Sequence, residues 1–215
     1  MPTEFLHGLY DGGHGAGLKD YWDMMMANPR CAGGFLWDLM DQGVVRTDKN
    51  NYVDCMGNFG ADGIVGPHAE KEGSYYTIKE VWCPVQLTWN DVEKGELTLS
   101  NQYNFVNLKD CRFSYRLLQM PTMGSTKVKV LKQGNLSSPD VAPGKEAQVK
   151  IPMMANADAV EIKAVNHEGE EIMTWSRGVK SEERRVKNSS APSTSSASSA
   201  AYDLSLRIVE SHAHH

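Results

Sequence analysis

The hydrophobic pattern of this chain changes its period near Pro84. From Val85 onward, apolar and polar residues alternate in short runs, and segments rich in Gly, Pro and charged residues separate these runs. About seven or eight such runs over roughly a hundred residues indicate an antiparallel β-sandwich, because alternation with frequent turns is typical of that fold. We therefore predict a domain boundary near residue 84 and an immunoglobulin-like β-sandwich over residues 85–187.

Before Pro84 the apolar residues do not alternate with polar ones in this way. Residues 1–7 predict a short strand and its exit. Leu18–Asn28 predicts a helix whose apolar residues at i, i+3, i+4 and i+7 form one stripe packed in a core; these are Leu18, Tyr21, Trp22 and Met25. Ala32–Met40 is a nearly unbroken apolar run, which is typical of a strand buried on both faces. Strand, helix and strand in this order make one βαβ unit.

Three further stretches complete the organisation of the chain. Asp41–Pro67 is a long loop rich in Gly, Asp and Asn that we expect to be ordered and to line a site, and Ser74–Val81 predicts a helix. Residues 188–201 are a Ser/Ala-rich tract with the composition of a flexible linker. Residues 202–215 alternate at first and predict either the start of a further β module, an added edge strand or a solvated tail.

Composition excludes several classes of partner. The net charge of −5 argues against nucleic-acid binding, which relies on clustered Lys and Arg. No apolar run approaches the roughly 20 residues that span a bilayer, so we expect no membrane contact. The four cysteines are far apart and form no CxxC pair, which favours free, half-buried thiols over a zinc site.

Two short stretches carry candidate chemistry. Glu4 follows a proline by two residues and precedes His7 by three, and the run that begins at Gly33 ends in Trp37 and Asp38. A carboxylate and an indole on neighbouring strand ends are the groups of a sugar-binding site. The alternatives are a solvated charge at Glu4, a hydrogen-bonded core histidine at His7 and simple core packing at Trp37.

These stretches resemble a known family. Glu4–His7 and the block Gly-Gly-Phe-Leu-Trp-Asp-Leu-Met-Asp-Gln over residues 33–42 look like the last part of the catalytic barrel of family 2 glycoside hydrolases, in the β-galactosidase branch. Asn101–Leu108 is similar to a run in the immunoglobulin-like domain that follows this barrel. The resemblance covers about residues 1–187. It implies an α+β multidomain fold, with a partial (β/α)8 barrel over residues 1–84 followed by the antiparallel sandwich.

The resemblance also implies roles for individual residues. Glu4 matches the catalytic nucleophile of a retaining β-galactosidase, His7 matches a residue that binds sugar hydroxyls, and Trp37 matches the tryptophan that floors the galactose subsite. Asp62 stands where relatives with a monovalent cation carry Asn, which implies a modified metal site. The resemblance to the full-length enzymes of the family implies Mg²⁺ and Na⁺ as cofactors and a β-galactoside as the substrate.

The length of the chain limits what it can do alone. A complete barrel of this type needs about 250 residues, so residues 1–84 hold at most its last two strands. We expect the acid/base carboxyl and the magnesium ligands upstream of Met1, an inactive isolated chain, and poor stability of residues 1–84. The alternative function is a non-catalytic sandwich module with a structural, assembly or weak carbohydrate-binding role. Homo-oligomerisation and the cellular compartment stay open.

Overall fold

A computed structural model describes residues 1–6, 17–57 and 59–179. The chain divides into two compact units, Met1–Cys83 and Pro84–His215. The predictions made for His7, for the linker at 188–201 and for residues 202–215 lie outside the described residues. In the part of the chain that is described, no helix is long and apolar enough to cross a membrane.

The described part of the first unit contains two α-helices. Helix α1 spans Leu18–Ala27, which confirms the predicted helix to within one residue at its end. Of its predicted apolar stripe, Leu18 is fully buried, and the ring of Trp22 packs against that of Trp82 at 5.4 Å between centroids. Tyr21 departs from the prediction of a fully packed stripe, because 42% of its surface stays exposed beside the ring of Phe5.

The long segment between the helices contains a small hairpin. Strand β1 (Val44–Arg46) pairs antiparallel with strand β2 (Tyr52–Asp54). The Arg46 guanidinium bonds the carboxylate of Asp48 at 2.7 Å and that of Asp54 at 3.0 Å, which ties the turn to the second strand. Helix α2 follows at Gly73–Val81, close to the predicted Ser74–Val81.

The prediction of a strand buried on both faces over Ala32–Met40 is wrong. Within this segment the structure has only isolated bridges, and 58% of Phe35 and 70% of Leu39 are exposed. Residues 1–6 also form no regular strand. The physical reason is that a doubly buried strand needs a continuous ladder and cover on both faces, whereas the described neighbours of this segment each pair with only a few of its residues.

The second unit confirms the predicted antiparallel sandwich. Its described strands are β3 (Val85–Asp91), β4 (Glu96–Asn101), β5 (Arg112–Gln119), β6 (Lys129–Leu136), β7 (Glu146–Lys150), β8 (Ala159–Val165) and β9 (Glu171–Gly178). They form one sheet in the order β3-β4-β7 and another in the order β6-β5-β8-β9. Every pairing is antiparallel. Two antiparallel sheets of three and four strands are typical of immunoglobulin-like sandwiches.

Alternation along the strands explains the core of this sandwich. Successive side chains of a strand point to opposite faces, so every second residue can be buried. The fully or nearly fully buried side chains on the strands include Val85, Leu97, Leu99, Phe113, Tyr115, Leu117, Val160, Ile162 and Ala164. The polar positions between them, such as Arg112 and Arg116, remain exposed.

A buried amide side chain braces one end of the sandwich. Asn101 is fully buried, and its Nδ2 donates to the carbonyls of Val106 and Val141, each at 2.8 Å. Its Oδ1 accepts from the Tyr103 amide at 2.9 Å. Three bonds therefore connect the end of β4 to the loop that follows it and to the chain before β7, where water cannot replace them.

We expect Asn101→Ala to destabilise the sandwich by about 3 kcal/mol, because it leaves buried backbone groups without partners. The free energy of opening, measured by hydrogen exchange at the buried β8 amides, checks this. Asn104→Ala, at an exposed position of the same loop, is the matched control and should change stability by less than about 0.5 kcal/mol. Equal effects of the two substitutions would contradict the bracing role.

A second experiment concerns residues 32–40. Because this segment has few backbone bonds and exposed side chains, its amides should exchange at least about a hundredfold faster than those of Val160–Ala164 in β8. Residue-resolved hydrogen exchange on the monomeric chain measures the difference. Uniform protection across residues 32–40, at the level of β8, would show that this segment is a stable strand after all.

Candidate functional site

Three chain segments of the first unit lie side by side. The Phe5 amide donates to the Phe35 carbonyl at 3.2 Å, and the Trp37 amide donates to the Leu6 carbonyl at 3.0 Å. On the other side of the same segment, Met40 forms a parallel bridge with Val65. Residues 35–41 are therefore the middle of three segments, with residues 5–6 on one side and residues 62–65 on the other.

This arrangement places three of the four sequence-predicted site residues on adjacent segments. Glu4 directly precedes Phe5, and its side chain is exposed. Trp37 lies on the middle segment, paired through its amide with Leu6, and 41% of its surface is open to solvent. Asp62 lies on the third segment and accepts the Asp38 amide at its carbonyl, at 3.2 Å. His7, the fourth, lies outside the described residues.

The site holds two carboxylates to which we assigned no individual role from the sequence, Asp38 and Asp41. The Asp41 Oδ1 accepts from the Gly63 amide at 2.8 Å. The Asp38 Oδ2 accepts a long bond of 3.4 Å from Gln42, while its Oδ1 is buried with no hydrogen-bond partner among the residues that the structure describes. The spacing Trp-Asp-x-x-Asp-Gln carried the signal, since it places carboxylates one and four residues after the indole.

Burial raises the pKa of the Asp38 carboxyl, and the negative charges of Asp62 and Asp41 raise it further. The bond from Gln42 acts in the opposite direction. A carboxyl that loses water and faces other carboxylates is less easily ionised, so this edge of the unit is electrostatically strained at neutral pH. The carboxyl with the raised pKa, that of Asp38, directly follows Trp37 in the chain.

The described side chains near Asp62 do not form a complete ligand set for the Mg²⁺ or Na⁺ that the resemblance implies. Within residues 1–6, 17–57 and 59–179, no group of three or more His, Cys, Asp or Glu side chains is placed to hold a metal ion. Na⁺ and Mg²⁺ take several oxygen ligands, and Asp62 with its neighbours does not supply such a set by side chains alone.

A surface depression in the second unit lies on the outer face of the four-stranded sheet. It has a volume of about 500 Å³ and is lined by charged residues of β5, β8 and β9. Arg116 pairs with Glu161 at 2.6 Å, and Lys163 pairs with Glu171 at 3.2 Å. Since these charges satisfy one another, we interpret this face as structural.

Comparison with known proteins finds relatives over part of the chain. Residues 97–184 match the family described as beta-galactosidase, domain 4. A β-galactosidase of Pectobacterium atrosepticum is 29% identical over 113 residues, which cover 47% of this chain and 11% of that protein. A β-galactosidase of Aeromonas hydrophila is 24% identical over 185 residues, which cover 77% of this chain and 18% of that protein.

A solved structure, that of an exo-chitosanase of Amycolatopsis orientalis, aligns with 56% of this chain and 14% of its own, at 13% identity and a TM-score of 0.38.

The sequence matches show that the chain is similar to β-galactosidases. Within such a protein, the part that the sandwich matches is domain 4. The resemblance to β-galactosidases inferred from the sequence is thereby confirmed for the sandwich, which contains Asn101. The chain spans 11% to 18% of the length of these curated relatives.

The raised pKa of Asp38 predicts a pH dependence with a definite sign. A raised folded-state pKa contributes stability below the usual aspartate range, and this contribution is lost as pH rises through the folded-state value. Asp38→Asn should therefore stabilise the first unit at pH 7, and its advantage should shrink toward pH 4. Thermal unfolding followed at the α2 amides measures the stability difference between Asp38→Asn and the unaltered chain at pH 7 and at pH 4.

Asp48 provides a matched control, because its pKa is shifted in the direction opposite to that of Asp38. The bond from Arg46 lowers the pKa of Asp48, so its contribution is present above the usual aspartate range and lost as pH falls. Asp48→Asn should slightly destabilise the unit at pH 7, and this effect should persist at pH 4 and fade only as pH falls below the usual aspartate value of 3.8 and through the lower folded-state pKa. The same sign for both substitutions at pH 7 would contradict the electrostatic account.

Proposed function

We propose that this chain is part of a retaining β-galactosidase-like glycoside hydrolase that hydrolyses terminal β-D-galactosides in carbohydrate catabolism. The finer fold assignment belongs to the same proposal: Met1–Cys83 is the C-terminal part of a (β/α)8 barrel. The observation that supports it best is the backbone pairing that sets residues 5–6, 35–41 and 62–65 side by side. Barrel enzymes gather their active-site residues at the ends of neighbouring parallel strands.

The proposed chemistry assigns one role to each site residue. The Glu4 carboxylate attacks the anomeric carbon and forms a glycosyl-enzyme ester, which water then hydrolyses. His7 binds sugar hydroxyls. The Trp37 ring stacks against the apolar face of the galactose ring, for which its exposed indole is suited. Asp62 shapes the far side of the subsite and is the residue that would contribute to a cation site.

Hydrolysis with retention needs a second carboxyl about 5 Å from the nucleophile. It protonates the leaving oxygen first and activates water afterwards, so one carboxylate cannot perform both halves of the reaction. The acidic residues between Asp41 and Pro84 lie in no motif that could take this role. We propose that the acid/base and the magnesium ligands come from a part of the enzyme outside these 215 residues, and that the chain alone is inactive.

The second candidate function is a non-catalytic module. The sandwich favours it, because its strands bury large apolar residues such as Leu97, Phe113 and Ile162 and so form a core of their own. In this alternative the chain serves structure or assembly, with at most weak carbohydrate contact. The two functions differ in whether Glu4 ever takes part in catalysis.

A chromogenic β-galactoside assay tests the catalytic claim. We expect no turnover above background by the purified chain, and no difference between the unaltered chain and Glu4→Gln, because the acid/base is missing. Turnover that Glu4→Gln abolishes would overturn the proposed incompleteness.

Sugar binding tests the site independently of turnover. Galactose at millimolar concentration should shift the indole NMR signal of Trp37, and Trp37→Ala should abolish binding because the stacking surface is lost. Trp89→Phe, in the sandwich, is the matched control and should leave binding unchanged. Binding that survives Trp37→Ala at full affinity would favour a different sugar-contacting surface.

A further inference from the structure

The segment that carries Asp62 is held by a side chain as well as by backbone bonds. The Asp41 Oδ1 accepts the Gly63 amide at 2.8 Å, and the Asp41 amide donates to the Val65 carbonyl at 3.0 Å. The Ile64 amide donates to the Asp38 carbonyl at 3.0 Å. One residue, Asp41, therefore contacts this segment through both its backbone and its carboxylate.

Close packing makes this contact specific to glycine at position 63. A Cβ at Gly63 would lie 2.3 Å from the Asp41 nitrogen and 2.4 Å from the Val65 oxygen, both rigid backbone atoms. From α2, the buried Ser74 hydroxyl donates to the Ile64 carbonyl at 3.1 Å. The segment is thus fixed between the Asp41 carboxylate and the first turn of α2, and only a residue without a side chain fits the first of these contacts.

The contact lies between two residues of the proposed sugar site. Trp37 precedes Asp38, whose amide donates to the Asp62 carbonyl at 3.2 Å, and Asp62 precedes Gly63. A charge-assisted bond from an amide to a carboxylate is stronger than a neutral one, so it can hold a short loop that has little regular structure. Releasing it would free residues 62–65 to move relative to Trp37.

We propose that Asp41 is a positioning residue of the sugar site: its carboxylate holds the Gly63 amide and thereby sets the placement of Asp62 relative to Trp37. Asp41 itself does not contact the sugar. The inference deepens the function proposed above and, for its effect on binding, rests on it.

The structural part is tested by hydrogen exchange of the full chain. Asp41→Ala should reduce protection of the Gly63 and Ile64 amides about tenfold or more, because a charge-assisted bond is lost. Asp41→Asn keeps an acceptor oxygen and should lose less than about threefold. Gly63→Ala should reduce protection of Ile64 and Val65 by displacing the segment. Asp48→Ala, which removes an exposed carboxylate of the same unit, should change none of these amides.

The functional part uses galactose as the probe, with binding followed at the Trp37 indole signal. Affinity should fall about tenfold or more in Asp41→Ala and in Gly63→Ala, and by less than about threefold in Asp41→Asn. Asp48→Ala should bind like the unaltered chain. Rescue by Asp41→Asn is the signature of positioning, since a general loss of stability would not depend on whether an acceptor oxygen is restored.

The outcomes separate this inference from the function on which it rests. If the unaltered chain shows no Trp37-dependent binding, the proposed sugar site fails, and this inference fails with it. If binding depends on Trp37 but Asp41→Ala keeps full affinity, only this inference is overturned. If Asp41→Ala also lowers the protection of the α2 amides, the other two variants decide the question. Galactose affinity that is retained in Asp41→Asn and lost in Gly63→Ala supports positioning. Equal galactose affinities of these two variants overturn it.

Discussion

The conformation of residues 35–41 depends on backbone hydrogen bonds to chain segments on both sides. Phe5 and Leu6 pair with its first half, and residues 62–65 pair with its second half. Neither neighbour is long enough to form a regular sheet, so each bond matters more than it would within a continuous ladder. These few bonds determine the relative positions of Glu4, Trp37 and Asp62, because all three residues lie on or next to the paired segments.

The two units are stabilised in different ways. The sandwich combines continuous antiparallel ladders with buried side chains such as Phe113, Leu117 and Ile162, each of which contributes about 1.5–3 kcal/mol when it is removed from water. The first unit buries Leu18 but leaves Phe35, Leu39 and many other apolar side chains exposed. Exposed apolar surface of this kind usually marks a place where another polypeptide packs. This contrast agrees with a unit that is one part of a larger domain.

Electrostatics and packing act together at the candidate site. Asp38 carries a partly buried carboxyl whose pKa is raised by desolvation and by Asp62 and Asp41. Such strain is tolerated where surrounding bonds fix the backbone, and Asp41 supplies one of these bonds through Gly63. Carboxylates with perturbed pKa values are enriched at functional sites, which fits the role proposed for this edge of the unit.

The sequence by itself determined the sandwich, both helices and the family likeness. Alternation along Val85, Leu87 and Trp89 is a local signal of period two, and a helix stripe or a Trp-Asp motif is local as well. Only the tertiary structure decided that residues 32–40 are not a doubly buried strand, because burial depends on which segments lie alongside. It also decided that the Asp41 carboxylate bonds the Gly63 amide, 22 residues further along the chain. No local pattern encodes a contact at that separation, since it arises only when distant segments meet.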